Sequence, residues 1–185
     1  MSLTRYYTAS TLDGFIADPN GSLDWLLTRR QEDDGALRYE DFITGIGAMV
    51  MGATTYEWIL DHEFGGRDRA DWVWPYEIPC WVLTHRTPDV VPGAPITITS
   101  GDVVPVHAEM THAAGGRDLW VVGGGDLAGQ FADAGLLDEV IVYIAPLSLG
   151  AGAPLLPRRI ELRLEELGRN GEFACARYAV VRPGG

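Results

Sequence analysis

The 185-residue sequence contains no lysine: its fourteen basic residues are all arginine, set against 26 Asp and Glu. That absence removes Schiff-base and lysine general-base chemistry and excludes a phosphate loop built around lysine. The net charge of −12 argues against a nucleic-acid partner, because a phosphate backbone requires a basic face. Cysteine is scarce too. Cys80 and Cys175 stand far apart, fit no metal-ligand spacing, and read as free buried thiols of a cytoplasmic protein. No apolar run approaches the ~20 residues that span a bilayer, and the N-terminus lacks a signal-peptide layout, so no membrane partner is expected. There is no Ser-His-Asp set and no carboxylate pair of the kind a hydrolase uses. His107 and His112 lie on an expected helix without ligand spacing, so no metal is expected and the pair reads as a solvated face.

What is present is an alternation of strand and helix patterns over a length suited to one domain, residues 1–185. "TRYYTAS" from Thr4 has strand composition, and "LDGFIADPNGS" is punctuated as a turn-rich loop. The stretch from Ser22 to Gly47 is expected as helix, broken near Gly35. "AMVM", "CWVLT" and "PITITS" read as short strands, "ATTYEWIL" and "VVPVHAEMTHAA" as helices, and the segment from Asp61 to Pro79 as a long loop. "DEVIVYIAP" is a further strand, and alternating runs flank Asn170-Gly171, a strong hairpin signal. The expected fold class is α/β: three layers around a mostly parallel mixed sheet, with an antiparallel C-terminal hairpin.

The segment "LWVVGGGDLAGQFADAG" poses the sharpest question. An apolar strand stops at Gly123, Gly124 and Gly125, and a helix follows at once. Glycine in a strand end is costly unless something approaches the backbone closely. Free N–H groups and the helix dipole at such a turn form an anion site; the alternative is a tight turn capped by Asp126. Gly123, Gly125 and Ala128 satisfy a dinucleotide fingerprint formally. The acidic residue a Rossmann fold would show at the end of the next strand is absent from "VYIAPLS", which disfavours that fold.

"TASTLDGFIA", "VMGATTYEWI", "WVLTHR" and "VVGGG" occur in this order. Together they resemble the dihydrofolate reductase-like superfamily, above all the reductase domain at the C-terminus of riboflavin-biosynthesis deaminase-reductases and its stand-alone bacterial relatives. The likeness extends from about Thr4 to Val181. It implies a dihydrofolate reductase-like fold binding NADPH, or NADH, with Ala9 and Ile16 beside the nicotinamide. It further implies Gly52, Ala53, Thr54 and Thr55 at the pyrophosphate and ribose, and Leu83, Thr84, His85 and Arg86 on the adenine side. Gly123, Gly124, Gly125, Asp126, Leu127 and Ala128 match the phosphate-binding turn, where adjacent glycines often share a cis peptide. Ala53 stands where the family usually has arginine, so Arg86 is the candidate partner of an NADPH 2′-phosphate.

The resemblance implies an oxidoreductase acting on a CH-OH or C=N group. It would transfer hydride from NADPH to a pteridine- or pyrimidine-like heterocycle, as 5-amino-6-(5-phosphoribosylamino)uracil reductase does. A non-catalytic nucleotide-binding module and a folate-reducing enzyme are the alternatives. Asp24 matches the carboxylate that holds a pterin, or it is a first-turn acid on its helix. Asp13 is a family hallmark, or the Asp of an Asp-Gly turn. Trp25 and Trp74 are candidate substrate contacts, and Trp72 and Trp74 alternatively anchor their loop. Arg67 and Arg69 sit beside Asp68 and Asp71, which leaves no clear phosphate cradle. A homodimer is expected, because relatives commonly pair and "EFACARYAVV" reads as an apolar strand near a sheet edge.

Overall fold

The computed structural model describes residues 2–182. The strands are β1 (Thr4–Thr11), β2 (Phe15–Ala17), β3 (Ile46–Gly52), β4 (Cys80–Leu83), β5 (Ile96–Thr99), β6 (Asp118–Gly123), β7 (Glu139–Ala145), β8 (Ala153–Pro154), β9 (Leu162–Asn170) and β10 (Phe173–Val180). The helices are α1 (Asp24–Leu27), α2 (Tyr39–Thr44), α3 (Ala53–Phe64), α4 (Val103–Ala113) and α5 (Gly125–Asp133). Eight strands form one sheet in the order β5-β4-β3-β6-β1-β7-β10-β9, and β2 pairs with β8 in a small second sheet. The pairings from β5 across to β7 are parallel; those of β10 with β7 and with β9 are antiparallel.

The parallel half is covered on both faces, which is why β3 is apolar and buried along almost its whole length. On one face Val106 and Met110 of α4 and Leu127 and Phe131 of α5 pack against Tyr6, Val50 and Val121. On the other, Phe42 of α2 and Tyr56, Leu60 and Phe64 of α3 cover Met49, Met51 and Trp120. This is the expected three-layer α/β arrangement with an antiparallel C-terminal hairpin.

Three expectations need correction. The long helix between Ser22 and Gly47 is only the short α1 and α2. The segment between them is pulled onto the β9–β10 hairpin instead: Ala36 N–H donates to the Arg169 carbonyl at 3.0 Å, and Glu32 N–H to Asn170 Oδ1 at 2.7 Å. A side chain at Gly35 would collide with Asn170, so close approach to the hairpin overrides helical propensity there. Secondly, β10 is near the sheet edge as expected but needs no cover of its own, being paired on both sides; the edge strand is β9, which carries Arg163, Glu165, Glu166 and Arg169. Charges of this kind protect an edge, so the edge argument for a homodimer does not apply to β10. Finally, His107 is half-buried, bonded to Thr4 Oγ1 at 2.9 Å and set edge-on to Phe131; only His112 lies on the solvated face.

Candidate active site

Parallel topology brings the C-terminal ends of β3, β4 and β6 side by side. Met51 pairs with Gly123, and Gly52 with Leu83. Open parallel sheets bind ligands at this edge, and here it opens into a cleft of about 460 Å³. The cleft collects three segments that are far apart in sequence: 52–55, 83–85 and 124–127, with Ser100 and Gly101 after β5 and Ala153, Pro154 and Pro157 closing the far wall. Among the residues matched to the cofactor, Ala9, Arg86, Gly123, Ala128 and Ile16 are outside the lining. Gly123 and Ala128 are buried directly behind it.

Two helices begin at this cleft. The N-cap of α3 is Gly52 and that of α5 is Gly124, and neither helix has a side-chain cap. By contrast α4 is capped by Asp102, whose carboxylate accepts from Val104 N–H at 2.7 Å. The first-turn N–H groups of a helix have no acceptor within the helix. Those of Ala53–Thr55 and Gly125–Leu127 therefore remain available where the two helix dipoles place positive potential. Asp126 does not cap α5, contrary to the simple-turn alternative. Its carboxylate accepts from Gln130 Nε2 at 2.9 Å and from Arg158 Nη2 at 2.7 Å. The Gln130 amide and Arg158 hold it below the usual carboxylate range, and the arginine offsets its charge at the helix start.

The glycines differ in purpose. The Gly123–Gly124 peptide is cis. At Gly124 an added methyl would meet only Ile16 Cδ1, at 3.7 Å, so the chain itself leaves room. At Gly125 the same atom would overlap the carbonyl oxygens of Pro154 and Leu155. The chain therefore requires glycine at 125. The open space at 124 suits a ligand.

Arg86 is exposed and pairs with Glu57 at 2.7 Å. An exposed ion pair of this kind contributes about 0–1 kcal/mol, so a phosphate dianion can compete for the guanidinium. Asp13 has a different task. Its carboxylate accepts from Thr11 Oγ1 at 2.5 Å, Ser148 Oγ at 2.8 Å and the N–H groups of Leu149 and Gly150. The Thr11 hydroxyl is the main cause, with the N–H groups and Ser148, of a pKa well below the ordinary carboxylate value. A carboxylate so engaged joins two loops and is unsuited to donating a proton.

A second cavity of about 440 Å³ adjoins the cleft across Thr54, Thr55 and Ala153. Neither Asp24 nor Trp25 lines either space. Asp24 is exposed at the start of α1, and Trp25 packs against Tyr143, Phe173 and Cys175. Trp74 is buried between Tyr56 and Tyr76, and Trp72 stacks on Phe64, so both serve as loop anchors. The tryptophan that does line the second cavity is Trp58, which sequence reasoning passed over. The signal was available: α3 buries Ala53, Tyr56, Leu60 and Phe64, and Trp58 falls off that stripe.

The sequence model of the RibD C-terminal domain matches residues 4–170. The chain belongs to the RibD C-terminal domain family. A relative in Bacillus subtilis (strain 168), the uncharacterized protein YwjB, is 29% identical over 180 residues, covering 95% of this chain and 96% of its own. Among family structures, a Shewanella sp. PV-4 protein with a provisional riboflavin-biosynthesis assignment superposes with a TM-score of 0.78 at 25% identity, covering 97% of this chain and 99% of its own. The Thermotoga maritima diaminohydroxyphosphoribosylaminopyrimidine deaminase/5-amino-6-(5-phosphoribosylamino)uracil reductase gives 0.64 at 17% identity. There the match covers 97% of this chain and 57% of the bifunctional one. The family fold is dihydrofolate reductase-like: the Enterococcus faecalis dihydrofolate reductase complexed with NADP(H) gives 0.55 at 12% identity, covering 97% of each chain. Among the described residues no helix is long and apolar enough to cross a membrane.

Proposed function

We propose that this RibD C-terminal family member is an NADPH-dependent reductase of a pteridine- or pyrimidine-like heterocycle. The observation that carries the reading is the pair of uncapped helix N-termini, α3 and α5, opening into one cleft at the strand ends. Each can receive one phosphate of a dinucleotide pyrophosphate. The donor set fits the group: N–H groups without helical acceptors, an open position at Gly124, and Arg86 in the loop after β4, next to the cleft residue His85, for a 2′-phosphate. Leu83, Thr84 and His85 would flank the adenosine, and Ile16, which approaches Gly124, the nicotinamide end.

When bound, the nicotinamide supplies the hydride. The chain's own contribution is orientation and exclusion of water. Asp13 fastens the loop after β1 to the loop after β7, fixing the rim of the cleft, and Thr54, Thr55 and Ala153 form the partition against the second cavity. Titration with NADPH and NADH, followed by hydride transfer to a heterocycle panel, tests the reading. Tight nucleotide binding without turnover of any acceptor would favour the binding-module alternative. No binding of either nucleotide would refute both.

A further inference from the structure

We propose that the cavity beside the cleft takes a flat heterocycle carrying no phosphate, seated against Trp58. The inference rests on the cofactor reading of the neighbouring cleft, with which the cavity shares the wall of Thr54, Thr55 and Ala153. An acceptor placed there adjoins the dinucleotide across that wall.

The walls decide the chemistry. Ala17, Pro19, Leu23 and Trp58 make the surface mostly apolar, and of the described residues lining it none is arginine. Among the described residues lining it the one acidic group is Asp18, whose Oδ1 accepts from the N–H groups of Asn20 and Ser22 at 2.8 Å each. The positive potential at the start of α3 is already assigned to the dinucleotide, so a second phosphate dianion placed here would meet a carboxylate and no cationic side chain, at a desolvation cost. Arg86 is assigned to the 2′-phosphate of the neighbouring cleft, Arg69 pairs with Asp89 and the Val90 carbonyl, and Arg67 borders a separate groove with Asp61 and Asp89. The sequence has no lysine to add a further cation.

Trp58 supplies the attraction. It is half-buried and belongs to none of the core clusters. Its indole stacks on His62, with centroids 4.6 Å apart and planes 11° from parallel. A large aromatic supported in this way and bordering a cavity is suited to stacking on a planar ring. The Thermotoga maritima reductase is named for a phosphoribosyl substrate; the present cavity has the ring platform and lacks the phosphate partner.

The test is equilibrium dialysis of 5-amino-6-(5-phosphoribosylamino)uracil, its dephosphorylated counterpart and 6-methylpterin against the protein, with and without NADPH. A phosphate-free probe should bind about tenfold or more tighter than the phosphorylated one. Trp58→Ala should weaken that probe by about tenfold, the scale of a lost base–aromatic stack, and Trp58→Phe should recover most of it. Equal or tighter binding of the phosphorylated probe overturns the proposal. So does failure of both phosphate-free probes to bind, or undiminished binding by folded Trp58→Ala. A separate NADPH titration of each protein identifies a failure of the cofactor reading, and the dialysis without NADPH still decides the acceptor class.

Discussion

Alanine substitutions at Gly124 and at Gly125, neighbours in the chain, should fail in opposite ways. Gly124 has φ −73° and ψ −176°, a backbone conformation alanine adopts freely, and the added methyl is 3.7 Å from its only protein neighbour, Ile16 Cδ1. The cost or gain to the apo protein should therefore stay within about 1 kcal/mol, a shift of ~2–4 °C in Tm for a chain of this size. The same methyl intrudes on the cleft at the start of α5. Displacing a phosphate from one charge-assisted N–H contact costs about 1.5–3 kcal/mol, which is a ten- to hundredfold loss of NADPH affinity. At Gly125 the methyl would overlap two carbonyl oxygens of the β8 segment. Backbone must move, at about 1–3 kcal/mol or more, so the apo protein should melt several degrees lower. Thermal unfolding without ligand and NADPH titration, run on both variants, separate the two effects. Normal NADPH affinity in a folded Gly124→Ala would refute the phosphate reading and show that these glycines serve the chain alone.

Arg86→Ala should weaken NADPH by about tenfold, the value of one charged hydrogen bond less the modest Glu57 pair, while sparing NADH; equal losses for the two nucleotides would mean that Arg86 does not read a 2′-phosphate. Arg158→Ala should lower NADPH affinity by about fivefold by exposing the Asp126 charge at the start of α5, and adding Asp126→Asn should restore it; no recovery in the double variant would contradict this electrostatic route. Burial holds the His107 imidazole below its ordinary value of 6.5, outweighing the opposite pull of Asp138. The unfolded chain thus takes up this proton first, so the stability contribution is present above 6.5 and is lost as pH falls through the folded value. His107→Gln should flatten that acid slope in denaturant midpoints, and an unchanged slope would assign it to other groups.

The strand ends were legible because each carries a local signature: a short apolar run halted at Gly52, at Thr84, or at the triple glycine. The cleft followed, since parallel pairing places such ends together. What the sequence did not disclose depends on distant chain. Gly35 reads as a helix break, yet its role is to let Asn170 approach, a contact across more than a hundred residues. β2 and β8 are too short for any periodicity and exist only because they pair with each other. Asp13 looked like a turn residue or a catalytic one; its actual partners, Ser148, Leu149 and Gly150, are in a loop that nothing near Asp13 foretells. Trp25 and Trp74 line neither the cleft nor the cavity beside it, a placement that aromatic composition does not reveal, whereas the phase of α3 sets Trp58 apart from the buried stripe.

The segment after β7 is tied down at several points. Asp13 holds it at 148–150, Gly14 accepts from Leu155 N–H at 2.8 Å, Tyr6 donates to the Leu155 carbonyl, and Gly125 lies beneath it. The rim of the cleft is thus a joint product of chain from three separate regions. Loop grafting between family members must respect that: a chimera importing residues 146–157 from a relative has to import 11–17 and the glycine turn with them. Transplanted alone, the segment would arrive without the anchors that set its position, and specificity would be exchanged for misassembly.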